Sequence, residues 1–450
     1  MTSLGVPWWG PSSGAAAWTT ILFWVALVAV AVSFLQTALV LASALRRRER
    51  PATGNESDFL WVFLVPALNE EVTIADSVAR LAAVEATHKV IVVIDDGSDD
   101  ATAEILAGLA CPGLRVLTRR LPEARHGKAA ALNAAYTFVR QEVLAEAEYA
   151  EFGAANTIVG VVDADGRLDA EAPGALAEHF ADPRVGGAQV LVRIYNRHGL
   201  LTRAQDLEFG VFGHVMQAGR SRWGSANMGG NGQFNRLAAL ADVATAQGPW
   251  RDRLTEDQDL GVRLVQRGWR SVQENQVSVH QQGLSSLRRL YRQRTRWAQG
   301  AWQAVGLAGS LHGMRRGGRH GCAHGLRARL DARLYLLTPL LQLIVGGYLL
   351  FDALDAAVTQ TDPVPVHRAI LAILLLPTLS GFLPALAVSV VRLRGGVRAG
   401  GETLLAGLLY PLYTWLLLPT VMVSLVRQLT GATGWAKTAR EPLAGTVSGG

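Results

Sequence analysis

The stretch VIVVIDDGSDDAT, residues 90–102, decides the fold class of this chain. Its first five residues form an apolar run that ends in two acidic residues, and a helical pattern follows over residues 101–109. Residues 59–65 (FLWVFLV) and 158–162 (IVGVV) are two further runs of this kind, each followed by polar residues and a helical pattern. Apolar strands that alternate with helices predict a parallel α/β sheet with both faces covered.

Polar side chains follow all three predicted strands. The first strand is followed by Asn69, Glu70 and Glu71, the second by Asp95 and Asp96, and the third by Asp163 and Asp165. Ligands of such sheets bind beyond the carboxyl ends of the strands. We therefore expect these side chains to lie at a ligand site.

The composition indicates a membrane protein. Of the 450 residues 50% are hydrophobic, and the mean hydropathy of +0.20 is high for a soluble enzyme. The net charge of +6 fits nucleic-acid binding or arginine-rich cytoplasmic loops. We favour the loops and expect no nucleic-acid partner. The two cysteines, Cys111 and Cys322, do not make a disulfide framework and point to a reducing compartment.

Four apolar runs are long enough to cross a bilayer, which needs about 20 residues. They are residues 17–45, 333–353, 367–391 and 403–426. The first is too long for a signal peptide core, so we expect a retained anchor. Basic stretches follow the first run and precede the second, which predicts that the large middle region lies in the cytoplasm. Basic residues after the last run conflict with the external C-terminus that four crossings require, so the number of crossings stays open.

The motif DAD, residues 163–165, places two carboxylates one residue apart at a strand end. Such a pair can hold Mg²⁺ or Mn²⁺, which favours oxygen ligands, although Asp and Gly are also ordinary turn residues. In DDGSDD, residues 95–100, capping and turn chemistry explains part of the pattern. The additional acids exceed what a cap needs, so we expect one of them to accept a hydrogen bond from a ligand such as a nucleobase N–H.

Two predicted helix starts carry charged residues. Lys128 begins a helix in RHGKAAALNAA, residues 125–135, where the helix dipole favours anions. Taken alone, solvated surface charge explains this motif better. Thr255 and Gln258 fit a capping box, which starts a helix at Thr255 and leaves Asp257 in its first turn. The positive helix end should keep this carboxylate ionised, ready to take a proton from a hydroxyl, although acids are common in first turns anyway.

The glycine-rich sequence GGNGQF, residues 229–234, predicts a flexible loop that either lines the same cleft or is a turn without function. In QRTRW, Gln293, Arg296 and Trp297 share one helix face. The arginine fork suits a diphosphate and the tryptophan ring suits a sugar. An interfacial membrane helix with Arg and Trp anchors explains the same pattern, and we expect both properties together. His320, Cys322 and His324 could ligate zinc, but a juxtamembrane loop is the better interpretation.

The blocks PALNEE, IDDGSDDAT, DAD, TED and QRTRW occur in one order, over roughly residues 60–300. This ordered set resembles the membrane-embedded family-2 glycosyltransferases, the group that includes cellulose, hyaluronan, chitin-oligosaccharide and poly-N-acetylglucosamine synthases. The resemblance implies an α/β domain of GT-A type with a mostly parallel sheet, interfacial helices and about four transmembrane helices. The GGNGQF loop lacks the cysteine typical of cellulose synthases, which leaves the acceptor open.

The resemblance also implies a role for each motif residue. Donor binding falls to Asn69, Glu70, Asp95, Asp96, Lys128, Asp163, Gln293 and Arg296. Asp163 and Asp165 are the metal residues for Mg²⁺ or Mn²⁺, and Trp297 binds the acceptor. In the TED motif Asp257, with Glu256 beside it, is the catalytic base for the acceptor hydroxyl.

We therefore expect an inverting enzyme that polymerises a β-linked polysaccharide from a cytoplasmic UDP-sugar, UDP-glucose or UDP-N-acetylglucosamine, and couples this to export. Its partners would be the donor, a growing glycan or lipid acceptor, and membrane lipids. The alternatives are a single transfer to a membrane lipid, or a non-catalytic membrane subunit or transporter with a nucleotide-binding domain. The expected divisions are a tail (1–16), a transmembrane helix (17–45), the GT-A domain (46–284), interfacial helices with the QxxRW motif (285–332), three transmembrane segments (333–428) and a tail (429–450).

Overall fold

The computed structural model describes residues 17–45, 54–311, 324–359, 382–390 and 397–432. Its strands are β1 (Leu60–Ala67), β2 (Lys89–Asp95), β3 (Leu114–Thr118), β4 (Thr157–Val161), β5 (Arg167–Leu168), β6 (Val185–Ile194), β7 (Gln233–Arg236) and β8 (Arg270–Gln281). Its helices are α1 (Ala17–Leu45), α2 (Ile74–Ala82), α3 (Thr102–Gly108), α4 (Lys128–Gln141), α5 (Gly153–Asn156), α6 (Ala172–Phe180), α7 (Leu200–Gly210), α8 (Ala218–Ser221), α9 (Leu237–Val243), α10 (Glu256–Gln266), α11 (Leu287–Ala304), α12 (Leu326–Thr359), α13 (Val397–Leu417) and α14 (Pro419–Leu429). A π-helix at Val211–Gln217 joins α7 to α8.

The sheet has eight strands in the order β3-β2-β1-β4-β7-β6-β8-β5. Strands β3, β2, β1 and β4 run parallel, as the three apolar runs predict, and β6 pairs in parallel with β8. Strand β7 lies antiparallel between β4 and β6, so the sheet is mixed. The predicted α/β class is confirmed, with more antiparallel pairing than the three runs alone suggest.

Both faces of the sheet are covered. Alternate residues of β1 point to opposite faces, so Trp61 and Phe63 pack with α2 and α6, whereas Val62 and Leu64 pack with α4, α9 and α10. All four side chains are fully buried. This continuous apolar strand ends at Ala67, which places the polar residues that follow it at the edge of the sheet where a ligand can bind.

Three described helices are long and apolar enough to cross a membrane: Trp18–Leu45, Leu326–Asp355 and Gly407–Leu429. The second begins before the predicted boundary at residue 333. The third combines the end of α13 with α14, which starts with Pro419. Most of the predicted span 367–391 lies outside the described residues, apart from a helical segment at 382–390. The orientation of the spans stays a prediction.

The amphipathic helix α11 connects the sheet domain to the apolar helices. Trp302 Nε1 donates a hydrogen bond to Ser424 Oγ of α14 at 3.1 Å, and Arg427 Nε donates to Gln299 Oε1 at 3.1 Å. Helix α1 packs along α12, where Trp18 lies 5.0 Å from Phe351 between ring centroids. The domain and the apolar helices therefore share packed surfaces around one opening.

Candidate active site

A cavity of about 1120 Å³ lies where the carboxyl ends of β1, β2 and β4 meet helices α1, α10, α11 and α12. The predicted residues that line it are Glu70, Asp96, Lys128, Asp163, Glu256, Asp257, Gln293, Arg296 and Trp297. In the described part of the chain, Asn69, Asp95 and Asp165 lie outside this lining. Motifs far apart in the sequence thus converge on one opening.

Lys128 lies at the centre of the charged cluster. Its Nζ atom is 2.6 Å from Asp163 Oδ1 and 4.0 Å from Glu256 Oε1. Lys128 is the first residue of α4, and Gly127 before it adopts a φ of 93°, which favours glycine. The turn brings the ammonium group to the end of β4, where Asp163 follows the strand. The lysine joins the DAD motif to the TED motif.

Burial and neighbouring charges shift the pKa values of this cluster. Burial raises the pKa of Glu256 to about 7, against the lowering effect of Lys128 and with a further increase from Asp257. Burial also raises the pKa of Asp257, although the Gln258 N–H, Lys128 and Arg296 lower it. Burial alone would lower the pKa of Lys128, but the carboxylates of Asp163 and Glu256 outweigh it and raise that pKa. A carboxyl pair beside a cation can therefore exchange a proton near neutral pH.

The capping box expected for the TED segment is wrong in detail. Thr255 is the N-cap of α10, but its side chain makes no capping bond to the backbone; its hydroxyl donates to Gln258 Oε1 at 3.3 Å. Burial raises the pKa of Asp257 above its usual value despite the position of this residue at the positive helix end, and its ionised state stays a prediction. Since α10 begins at Glu256, both acids still lie in its first turn and face the cavity.

The glycine-rich segment before β7 packs against the TED segment. Gly230 has a φ of 80°, and a Cβ atom at this position would lie 3.1 Å from Asp257 Oδ2. The interpretation of residues 229–234 as one loop is wrong at its end, because Gln233 and Phe234 belong to β7. Of the remaining residues, 229–231 line the cavity.

The acidic residues after β1 and β2 divide into two groups. Glu70 and Asp96 line the cavity, and the Asp96 carboxylate forms an ion pair with Arg119. Asn69 and Asp95 stabilise the loops themselves: Asn69 Nδ2 donates to Asp99 Oδ1 at 2.5 Å, and Asp95 Oδ1 accepts from Ser98 N at 3.0 Å. The turn chemistry expected for DDGSDD thus accounts for part of the pattern, whereas the N-cap of α3 is Ala101, which makes no side-chain capping bond. Glu70 and Asp96 are the acids of this group that line the cavity.

The DAD carboxylates have different surroundings. Asp163 contacts Lys128 at the cavity, whereas Asp165 is buried and its Oδ2 accepts a hydrogen bond from Gln282 N at 3.3 Å. The described residues contain no cluster of three His, Cys, Asp or Glu side chains that could hold a metal by itself. Mg²⁺ and Mn²⁺ at phosphate sites commonly use one or two carboxylates plus phosphate oxygens. The DAD pair fits that donor set.

The QRTRW segment lies on α11 with Gln293, Arg296 and Trp297 facing the cavity. The Trp297 ring lies 6.1 Å from the Phe209 ring between centroids, at 69°, and the Arg294 guanidinium lies 4.0 Å from the Trp297 centroid. Arg294 Nε donates to Glu208 Oε1 at 3.0 Å, and Arg294 also donates to the Tyr413 hydroxyl at 3.4 Å. The cavity tryptophan is thus held between an aromatic ring and a paired arginine.

The zinc interpretation can be examined at one of its three residues. His324 is buried, and its ring nitrogens lie 3.4 Å from Trp223 O and 3.3 Å from Trp269 O. Burial lowers the pKa of this imidazole. His320 and Cys322 lie outside the described residues. The neighbours of His324 are backbone carbonyl groups, which agrees with a structural histidine.

A sequence model of the family described as "Glycosyltransferase like family 2" matches residues 61–300, more than half of the chain. The chain belongs to glycosyltransferase family 2. The match begins in β1 and ends in α11. It therefore includes every motif that lines the cavity from the sheet side and the QxxRW helix that closes it.

Curated relatives of this family 2 glycosyltransferase are named for different products. A β-monoglucosyldiacylglycerol synthase from Synechocystis sp. is 32% identical over 246 residues, which cover 53% of this chain and 47% of the relative. A poly-β-1,6-N-acetyl-D-glucosamine synthase from Staphylococcus aureus is 30% identical over 246 residues, covering 54% of this chain and 55% of the relative. The chain thus matches about half the length of these curated relatives.

One solved structure shares the fold over nearly the whole chain. It is the mannosyltransferase PcManGT from Pyrobaculum calidifontis in complex with GDP-Man and Mn²⁺, with a TM-score of 0.59 and 17% identity. The alignment covers 91% of this chain and 99% of that structure. At this identity the likeness shows the fold, and it confirms the GT-A type expected from the motifs.

Several residues of this family 2 site are absent from the motif analysis. Glu208 and Tyr413 pair with Arg294, and Gln36, Tyr335 and Gln342 extend the lining onto α1 and α12. Polar residues inside apolar helices are a signal that sequence reasoning could have used, because they are rare in membrane segments and mark substrate pathways. No sequence signal identifies their partners.

Proposed function

We propose that this family 2 enzyme is an inverting glycosyltransferase that polymerises a β-linked polysaccharide from a UDP-sugar at the membrane. One observation carries the proposal: a single cavity joins the Lys128, Asp163, Glu256 and Asp257 cluster to side chains of two apolar helices. A donor bound at the charged end would place its sugar towards Trp297. An acceptor would then approach from the membrane end.

In the proposed reaction, the acceptor hydroxyl oxygen attacks the anomeric carbon of the donor sugar. Asp257 takes the hydroxyl proton as the new C–O bond forms, and the bond between the anomeric carbon and the diphosphate oxygen breaks on the opposite side, which inverts the centre. Lys128 and Arg296 line the same cavity and would stabilise the departing diphosphate electrostatically. The protonated form of the carboxyl pair is accessible because burial raises both pKa values.

Asp163 and Asp165 are the residues that would hold a divalent cation. A cation held by these residues would supply positive charge that stabilises a diphosphate. Lys128 already forms an ion pair with Asp163, so it brings positive charge to the same region. We therefore propose that sugar transfer depends on a divalent cation.

Glu70 and Asp96 are the carboxylates best situated to accept hydrogen bonds from a nucleobase, since both line the cavity at the ends of β1 and β2. The solved structure of the same fold holds GDP-Man, so the fold alone does not determine which nucleobase is bound. Uridine is proposed from the motif resemblance. Glucose and N-acetylglucosamine are the two sugars that we propose.

The membrane end of the cavity favours a hydroxyl-rich acceptor. It is lined by Ser33, Gln36 and Thr37 of α1 and by Thr338 and Gln342 of α12. Hydroxyl and amide oxygens on cavity-facing sides of apolar helices suit a glycan better than acyl chains. This lining supports polymer synthesis with export between the helices. The proposed location is the plasma membrane, with the sheet domain in the cytoplasm.

A single transfer to a lipid is the second candidate. It is favoured by the 32% identity to a β-monoglucosyldiacylglycerol synthase and by the position of the cavity against apolar helices. Both candidates use the same donor residues. They differ in what enters from the membrane end.

Purified protein in nanodiscs, incubated with radiolabelled UDP-glucose or UDP-N-acetylglucosamine and Mg²⁺ or Mn²⁺, tests the proposal. Release of UDP together with a ladder of products of increasing size would support polymerisation. One organic-extractable product would favour the lipid acceptor. UDP binding without turnover of either donor would overturn the enzymatic proposal and favour a nucleotide-binding membrane subunit.

A further inference from the structure

Helix α12 brings a phenol to the cavity that the reaction described above does not use. Tyr335 lines the cavity, and the Arg220 guanidinium lies 4.5 Å from the centroid of its ring. Arg220 is buried and forms an ion pair at 2.7 Å with Asp331, which is also buried and lies on α12 like Tyr335. Gln36 of α1 donates to Asp331 Oδ1 at 2.8 Å. This network fixes the Tyr335 ring between the sheet domain and two apolar helices.

The Tyr335 hydroxyl is held next to the TED helix. It accepts a hydrogen bond from Asn227 Nδ2 at 3.2 Å. Asn227 packs directly on α10, because a Cβ atom at Gly261 would lie 2.3 Å from Asn227 Oδ1. Gly261 is four residues after Asp257 and therefore on the same helix face. Asp257 and Tyr335 both line the cavity.

The hydrogen-bonding capacity of this phenol is directional. A tyrosine hydroxyl has one donor hydrogen besides its acceptor lone pairs. Asn227 donates to the Tyr335 oxygen, so that bond does not use the phenol hydrogen. The hydrogen is then available to a ligand in the cavity, which Asp257 also lines.

We propose that Tyr335 is an acceptor-binding residue supplied by a membrane helix: its O–H donates to an oxygen of a hydroxyl-bearing acceptor and aligns the attacking hydroxyl with Asp257. This inference rests on the proposed function. It follows that the acceptor subsite is complete only when α12 is docked through the Arg220–Asp331 pair. The donor subsite, formed by Lys128 and Asp163, does not involve Tyr335.

The test is Tyr335→Phe in the full chain in nanodiscs, with Tyr348→Phe as a matched control. Tyr348 lies on the same helix, and its hydroxyl donates to Asp352 at 3.4 Å, outside the cavity lining. The acceptor probe is cellobiose, N,N′-diacetylchitobiose or diacylglycerol, whichever the wild-type protein glycosylates. Tyr335→Phe should raise the KM for that acceptor roughly 3- to 10-fold, the effect of one lost hydrogen bond.

Measurements of UDP binding distinguish an acceptor-binding role of Tyr335 from a purely structural one. UDP affinity should be unchanged in Tyr335→Phe, since the ring under Arg220 is kept and the donor residues Lys128 and Asp163 are untouched. An unchanged acceptor KM would overturn the inference, and so would an equal loss of UDP affinity and transfer. A wild-type chain that transfers no sugar is a different result, because it overturns the proposed function and this inference with it.

Discussion

Gly300→Ala tests whether the packing of α11 on α10 sets the geometry of the site. Gly300 is buried on α11, and a Cβ atom there would lie 2.5 Å from both Cγ2 and Oγ1 of Thr255 and 2.9 Å from its Cβ. Non-bonded carbon atoms need about 3.5–4.0 Å, so the two helices must separate by roughly 1 Å. Thr255 immediately precedes Glu256 and Asp257, and Arg296 and Trp297 lie one turn before Gly300. The substitution therefore moves Arg296 and Trp297 away from Glu256 and Asp257.

The expected loss of rate is larger than the expected loss of stability. A misplacement of about 1 Å can reduce a rate on the order of 100-fold. Overpacking lowers the free energy of unfolding by about 1–3 kcal/mol, and the better helix propensity of alanine offsets up to about 1 kcal/mol of that. UDP release and sugar transfer, measured beside thermal unfolding in the same nanodiscs, give both quantities.

Two further variants complete this test. Gly306→Ala adds a methyl group with no atom within 4 Å, so it should behave as wild type. In Gly300→Ala with Thr255→Ala the two contacts at 2.5 Å are gone, and part of the lost transfer rate should return. Transfer by Gly300→Ala within threefold of wild type would refute the reasoning, as would a double variant no better than the single one.

Three other predictions concern the charges around the cavity. In the wild-type enzyme kcat/KM should rise with pH through about 7, where Glu256 loses its proton. Lys128→Met should move this acid limb of the pH profile to higher pH, because Lys128 lowers the pKa of both Glu256 and Asp257. An acid limb that stays in place would contradict its assignment to this carboxyl pair. Arg294→Gln should lower the free energy of unfolding by on the order of 3 kcal/mol, because Glu208 loses its ion-pair partner. The same substitution should weaken acceptor binding, because Trp297 loses the cation that lies over its ring. Arg292 is exposed on the same helix, so Arg292→Gln should change neither quantity. Treatment with EDTA should abolish transfer and added Mg²⁺ or Mn²⁺ should restore it; full activity in EDTA would remove the metal from the proposal.

The sheet could be predicted where local pattern determines it. The apolar runs at 59–65, 90–94 and 158–162 correspond to β1, β2 and β4, because a strand buried on both faces has a continuous apolar sequence. Strand β7 could not be predicted in the same way. It has only four residues, and it is buried through its pairing with β4 and β6, which are distant in sequence.

In the candidate site, too, the residues placed by local sequence could be predicted, and those placed by tertiary packing could not. Asp163, Glu256 and Asp257 could be identified because strand ends and first helical turns place them predictably. The partners of those residues could not: Arg294 meets Glu208 across 86 residues, and Arg220 meets Asp331 across 111. Burial, which raises the pKa of Asp257, also depends on the packed structure and opposes the effect expected from the helix dipole alone.

The most direct test of the central claim is Asp257→Asn, which keeps the size of the side chain and removes its capacity to take a proton. UDP affinity, measured by calorimetry with Mg²⁺ present, should stay within about threefold of wild type, while sugar transfer falls by roughly 100- to 10,000-fold. Transfer at the wild-type rate, with UDP bound as before, would contradict the assignment of Asp257 as the base.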